Sequence, residues 1–187
     1  MPAPITSAKI LIVSDNGFEQ SELEVPRDVL RAKGATVHVA TPDGKAVRGW
    51  KDKDWGDAAE ADLSIDQAEV GDYDALVLPG GQMNPDLLRV NDDAIALIQA
   101  FHTAGKPIAA VCHAPWLLIE AGLADGLRAT SYGSIKTDMI NAGVEWVDQS
   151  AVEDRGIITS RDPSDLDDFV DAIVLAVEHG VSAEAAA

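Results

Sequence analysis

The residue most able to do covalent chemistry in this chain is Cys112, the single cysteine among 187 residues. It lies in Lys106-Pro107-Ile108-Ala109-Ala110-Val111-Cys112-His113-Ala114-Pro115, where an apolar run expected to be a buried strand passes straight into a helix. A side chain at such a turn is displayed at the edge of a sheet, beside backbone N–H groups and a helix start. The partial positive charge there favours a thiolate, is expected to lower the thiol pKa, and offers donors to an oxyanion. Pro115 fits the first helical turn, where its missing N–H is not needed. A lone cysteine is otherwise read as a small buried hydrophobe; the strand-to-helix setting tips the reading towards a nucleophile. His113 follows directly and could be base, acid or mere neighbour, since adjacent residues converge only at a sharp turn. His38, within an expected strand, and His102 and His179, at expected helix ends, read as structural or solvated.

The elements that must hold this turn recur as strand, turn and helix. Lys9 to Val13, Thr36 to Ala40, Ala75 to Leu78, Pro107 to Val111 and Ile157 to Thr159 are expected strands, and the first, third and fourth are continuous apolar runs of the kind buried on both faces. Helices are expected over Ser21 to Lys33, stopped by Gly34; Asp92 to Thr103, stopped by Gly105; Ala114 to Ala121, stopped by Gly122; and Thr137 to Asn141, stopped by Gly143. Ser164-Asp165-Leu166-Asp167 resembles a capping box opening a last helix that runs to about Glu178. Residues 44–74 read as irregular and polar. Within them Trp50 and Trp55 either cover the rim of a site or anchor the loop, the second being favoured. Alternating strands and helices imply an α/β fold: a mainly parallel sheet sandwiched between helices. Ligands then bind beyond the carboxyl ends of the strands. The loops there are Ser14 to Glu22, Pro79 to Asp86 and Cys112 to Pro115.

Length and composition suit a single domain over residues 1–187, its core about residues 8–179, with a short N-terminal arm and a frayed tail from Ser182 to Ala187. No apolar run approaches the roughly 18 residues of a membrane span, and the first residues lack the pattern of a signal peptide. A cytoplasmic protein is expected, because one cysteine cannot form an internal disulfide. The formal net charge of −18 argues against nucleic acid and anionic membranes as partners. No phosphate-cradling glycine motif stands out, and a lone cysteine cannot build a cysteine-based zinc site, so neither cofactor nor metal is expected.

Four stretches together resemble the PfpI family, part of a superfamily of intracellular cysteine proteins with a class I glutamine amidotransferase-like fold. They are Phe18 to Pro26, Ala75 to Gly81, Val111 to Pro115 and Thr137 to Trp146, in order and at family spacing. The resemblance implies a flavodoxin-like three-layer sandwich and a nucleophile at Cys112. It puts a protonated carboxyl at Glu22 beside the sulfur, and the backbone N–H groups of Gly80 and Gly81 facing it. It also implies that His113 is completed by Asp86 of a neighbouring subunit, which would require a homodimer or larger homo-oligomer. Family members that act as proteases carry Glu at the Asp86 position, so the shorter side chain counts against peptide cleavage. Ala114 stands where glycine is common.

The function implied is a stress-response hydrolase acting on small reactive carbonyls or glycated groups. The alternatives are an intracellular cysteine peptidase and a redox sensor oxidised at Cys112. A glutamine amidotransferase is disfavoured, because residues 150–178 hold no histidine to serve as the downstream base.

Overall fold

Continuous apolar strands need cover on both faces, and a parallel sheet between two helical layers supplies it. The structure, a computed structural model, describes residues 2–180. The chain runs β1 (Lys9–Val13), β2 (Phe18–Glu19), α1 (Gln20–Ala32), β3 (Thr36–Thr41), β4 (Val47–Lys51), β5 (Asp54–Ala59), β6 (Leu63–Ser64), β7 (Ala75–Leu78), α2 (Met83–Leu88) and α3 (Asp92–Thr103). It continues through β8 (Ile108–Val111), α4 (Pro115–Glu120), β9 (Arg128–Ala129), α5 (Lys136–Asn141), β10 (Glu145–Trp146), β11 (Ala151–Asp154), β12 (Ile157–Ser160) and α6 (Leu166–His179).

Among the described residues, seven strands form the main sheet in the order β11-β12-β8-β7-β1-β3-β6. Neighbours are parallel except at the β11 edge, which runs antiparallel to β12. Alternate side chains of each strand feed opposite cores. Ile10 and Ile12 of β1 meet Leu23 and Leu30 of α1 and Phe169 and Ile173 of α6. Leu11 and Val13 meet Ile98 and Phe101 of α3 and Leu117 and Leu118 of α4. This is the sandwich of helices, sheet and helices that the alternation of elements implies, and the flavodoxin-like form of it that the resemblance implies. From β1 the chain steps outward to β3 and then crosses back to β7 on the other side. The connections leaving the carboxyl ends of β1 and β7 therefore turn to opposite faces of the sheet, and a crevice opens between them.

The expected strands and helices lie where the sequence puts them, with boundaries shifted by a residue or two. Residues 44–74 depart from expectation. β4 and β5 form an antiparallel hairpin that also pairs with β2, and β6 adds the edge strand to the main sheet. The hairpin projects beside the sheet, so only Val47, Gly49 and Ala59 face inward, and its polar outer face hides the strand signal. Asp52, at φ 56, makes the turn. Trp50 lies opposite Trp55 across the hairpin, edge to face at 5.6 Å.

Two further segments bear on the termini. Residues 2–8, read as an arm, lie against α6: the Ala3 N–H donates to the Val177 carbonyl at 2.9 Å and Ile5 is buried. The expected frayed tail lies outside the described residues. No helix among the described residues is long and apolar enough to cross a membrane.

Candidate active site

Cys112 directly follows β8 in a left-handed conformation, φ 64, that a non-glycine residue adopts only when its surroundings impose it. Two backbone hydrogen bonds do so. The Cys112 N–H donates to the Ser160 carbonyl at 3.0 Å, and its carbonyl accepts from the Tyr132 N–H at 2.8 Å. The residue is pinned from β12 on one side and from the loop after β9 on the other. Only 6% of it is exposed.

Around the sulfur three chain segments converge. From α1 comes Glu22, fully buried, whose Oε2 accepts from the Gly80 N–H at 2.9 Å. Its Oε1 has no partner of good geometry, and the Cys112 thiol lies within hydrogen-bonding reach of the carboxyl. From the loop after β7 come Gly80 and Gly81, and from the elbow itself comes His113. The backbone N–H groups of Gly81 and His113 both face the sulfur. His113 Nδ1 is 3.2 Å from Sγ, and Nε2 is 3.1 Å from Ser134 Oγ. The imidazole stacks on Tyr132 at 4.9 Å and meets the edge of Trp116 at 5.3 Å. Three contacts fix the ring plane, and the sharp turn does bring the two adjacent residues together.

The glycine loop is itself clamped. Buried Asn84, on α2, donates to the Pro79 carbonyl at 2.7 Å and accepts from the Asp15 N–H at 2.6 Å, tying the ends of β7 and β1 together. Asp86, two residues on, does not line the cavity at Cys112. Its side chain is 67% exposed on α2 and lies 4.0 Å from Arg89. In the single chain it is Ser134, not Asp86, that meets the far nitrogen of His113.

The electrostatics differ from the sequence expectation. Burial pushes the Glu22 carboxyl up to about 8, so it is predominantly protonated at neutral pH. Burial also pushes the Cys112 thiol up, and a charged Glu22 beside it pushes further, whereas the Gly81 and His113 amides pull down. The lowering expected from the turn alone is therefore outweighed. The flanking helix α4 has only six residues, and the sulfur has lost most of its contact with water. Burial lowers the His113 pKa, which leaves the ring neutral at pH 7. Thiol and carboxyl form one coupled system. The alkylation rate of Cys112 by iodoacetamide is expected to depart from a one-group titration, with a second inflection near pH 8 as Glu22 ionises. In Glu22→Gln it should collapse to a single ionisation. Superimposable profiles for the two proteins would show that the carboxyl does not act on the thiol.

Above the sulfur lies a cavity of about 450 Å³, lined among others by Glu19, Trp50, Tyr132, Ser134 and Pro163. Trp50 thus covers the rim, the reading of the two tryptophans that sequence disfavoured. Ser134, Tyr132, Asn84 and Glu19 carry no sequence signal of their own. They lie in short elements without periodicity, and only the return of the chain brings them to the cysteine.

A strained cysteine between a buried acid and an oriented imidazole, at the switch point of a parallel sheet, defines a class of cysteine-centred α/β proteins. The chain belongs to the DJ-1/PfpI family, whose model matches residues 8–176. It is 41% identical over 158 residues to Deglycase PfpI of Pyrococcus furiosus, covering 84% of this chain and 92% of that one. It is 39% identical over 166 residues to Protein/nucleic acid deglycase 2 of Escherichia coli (strain K12), covering 87% and 94%. The crystal structure of Drosophila melanogaster DJ-1beta superposes with a TM-score of 0.84 at 32% identity, covering 93% of this chain and 91% of that one.

Proposed function

We propose that this protein is a cysteine-dependent hydrolase of small reactive carbonyls and of the amine adducts they form. The observation that carries the reading is the 3.2 Å approach of a buried, neutral His113 to Sγ, with Glu22 held protonated on the other side. A resting thiol needs a base at the moment of attack, and neutral His113 Nδ1 is in reach. As Sγ bonds to the aldehyde carbon, the thiol proton passes to Nδ1 and then to the new alkoxide, giving a hemithioacetal with no net change in protons. The Gly81 and His113 amides stabilise negative charge during the step. With an α-oxoaldehyde, the hydrogen on the hemithioacetal carbon leaves as a proton to the site's acid–base pair. A proton returns to the neighbouring carbon, leaving the thioester of a 2-hydroxy acid. Water cleaves that thioester, releasing the acid and restoring the thiol. With a carbinolamine the first step differs: the C–N bond breaks as the C–S bond forms, and the amine departs with the proton from Nδ1. Ser134 Oγ, accepting from Nε2–H, stabilises the imidazolium that forms on the way.

Asp86 enters this reading from a second copy of the chain. It is solvent-facing on α2, flanked by exposed Leu87 and Val90, as an interface residue of a homo-oligomer would be. A cytoplasmic setting suits a single free thiol. The redox-sensor alternative asks for an exposed, low-pKa thiol, and burial opposes both. The test is lactate formation from methylglyoxal and from its carbinolamine with an amine, alongside cleavage of peptide amides. Loss of at least about a thousandfold is expected in Cys112→Ser, with His113→Ala close to it. Carbonyl turnover that survives Cys112→Ser, or peptide cleavage in place of carbonyl turnover, would overturn the assignment.

A further inference from the structure

A buried amide side chain must have both of its ends satisfied, and its partners fix which end is which. Asn84, in the short helix α2, is fully buried and uses both ends. Its Oδ1 accepts from the Asp15 N–H at 2.6 Å and lies 3.5 Å from the Ser14 hydroxyl. Its Nδ2 donates to the Pro79 carbonyl at 2.7 Å and to the Gly80 carbonyl at 3.3 Å. Carbonyls only accept and a backbone N–H only donates, so the amide has one possible orientation.

The two carbonyls belong to planar peptide units whose other ends build the site. The Pro79 carbonyl shares its plane with the Gly80 N–H, which donates to Glu22 Oε2 at 2.9 Å. The Gly80 carbonyl shares its plane with the Gly81 N–H, which faces the Cys112 sulfur. Asn84 thus holds the oxygen end of both planes, while the acid and the nucleophile meet the nitrogen ends. Among the described residues no other side chain donates to either carbonyl; the only further donor is the Glu19 N–H, 3.3 Å from the Gly80 oxygen. Glycines have no side chain to hold their planes, and Gly81 sits at φ 78, where rotation is least restrained. A peptide whose carbonyl accepts a hydrogen bond is also the stronger donor at its N–H.

We propose that Asn84 is a positioning residue of the thiol site: by gripping the Pro79 and Gly80 carbonyls it aims and polarises the Gly80 N–H at Glu22 and the Gly81 N–H at Sγ. It touches neither sulfur nor substrate and acts through these two peptide units. The role deepens the reading of Cys112 as a nucleophile and rests on it, but it is independent of the substrate and is measurable without turnover.

The measurement is the alkylation rate of Cys112 by iodoacetamide in folded Asn84→Ala, compared with the parent at each pH. Freeing the Gly81 amide removes part of one charge-assisted hydrogen bond, about a tenfold loss of thiolate. The greater nucleophilicity of a more basic sulfur offsets some of that, so a fall in rate of about threefold or more is expected. A merely structural role moves the rate the other way, because a loosened fold exposes a buried thiol. Leu97→Ala, in the core under α3, is the control: it lowers the urea midpoint and should not slow alkylation. Should Asn84→Ala not fold, the parent itself carries the test by NMR. As Glu22 ionises near pH 8, the Asn84 side-chain amide protons should shift together with the Gly80 N–H. The amide of Asn91, which caps α3, should stay flat. Alkylation of folded Asn84→Ala at the parental rate or faster overturns the role, and so do Asn84 resonances that stay flat while Gly80 titrates. Slowed alkylation with no carbonyl turnover in the parent overturns the hydrolase reading and leaves Asn84 standing. Unchanged alkylation with turnover intact does the reverse.

Discussion

Replacing Glu22 with glutamine is expected to stabilise the protein by about 3 kcal/mol at pH 7 while abolishing carbonyl turnover. The sign follows from linkage. The carboxyl titrates at about 8 in the folded chain against 4.5 in the unfolded one. The folded state thus keeps a proton that the unfolded state gives up, and the contribution to stability is complete below pH 4.5 and is lost as pH rises to 8. Each pH unit in that window removes about 1.4 kcal/mol, hence about 3 kcal/mol by pH 7. Glutamine has no proton to lose, is close to isosteric, and can still accept from the Gly80 N–H. Its stability should stay near its low-pH level as far as Glu22 is concerned. The two proteins should match near pH 4.5 and diverge steadily towards pH 8, read as urea midpoints at a series of pH values. With a formal net charge of −18 many other carboxylates also titrate, so the difference between the proteins is the diagnostic quantity. Parallel curves would mean that Glu22 is ionised in the folded state, and the acid role assigned to it would go. Domains of this kind hold together by only about 5–15 kcal/mol. A native chain that keeps so unfavourable a carboxyl is trading stability for a proton beside the sulfur.

How far the sequence discloses this arrangement depends on how local each cause is. β1, β7 and β8 are legible because a strand buried on both faces must be apolar throughout, and their ends locate the three loops that build the site. The elbow at Cys112 is legible because Val111 closes a continuous apolar run and Pro115 fits the first turn of a helix. Glu22 and Asp86 are different: nothing in their own neighbourhoods separates them from solvated carboxylates, and only the resemblance singled them out. Ser134 and Tyr132 reach His113 because β9 lies along β11 and delivers the following loop to the cysteine. No periodicity marks them. The hairpin of β4 and β5 escaped notice because its outer face is charged, and with it went the placement of Trp50. The thiol pKa went wrong for a related reason. Local sequence reports the turn and the helix start, which lower it, but not the depth of burial, which raises it more.

Gly80→Ala should be among the most damaging single methyl additions to this site. The backbone at Gly80 is not in the left-handed region, so the obstacle is space alone. A Cβ there would lie 2.5 Å from Glu22 Oε2, 2.6 Å from the Cys112 Cβ and 2.7 Å from the Val111 carbonyl oxygen. Two of these three atoms belong to backbone or to a β-carbon fixed by it, so they cannot swing aside as the tip of a lysine would. The loop after β7 must move instead. Moving it breaks the 2.9 Å bond from the Gly80 N–H to Glu22 and withdraws the Gly81 amide from the sulfur. Overpacking costs about 1–3 kcal/mol and a stranded buried carboxyl oxygen a similar amount, so a loss of about 3 kcal/mol is expected. Gly71→Ala is the matched control, because its added Cβ would meet nothing within 4 Å. Urea midpoints should fall sharply in the first variant and hardly at all in the second, and Cys112 alkylation should change only in the first. If Gly80→Ala melts like the parent and still turns over carbonyls, the close approach of the three segments is not what makes the site work. If it fails as expected, the position is glycine because β7, β8 and α1 approach too closely there for any side chain. That same closeness strips water from Glu22 and Cys112 and keeps the proton between them.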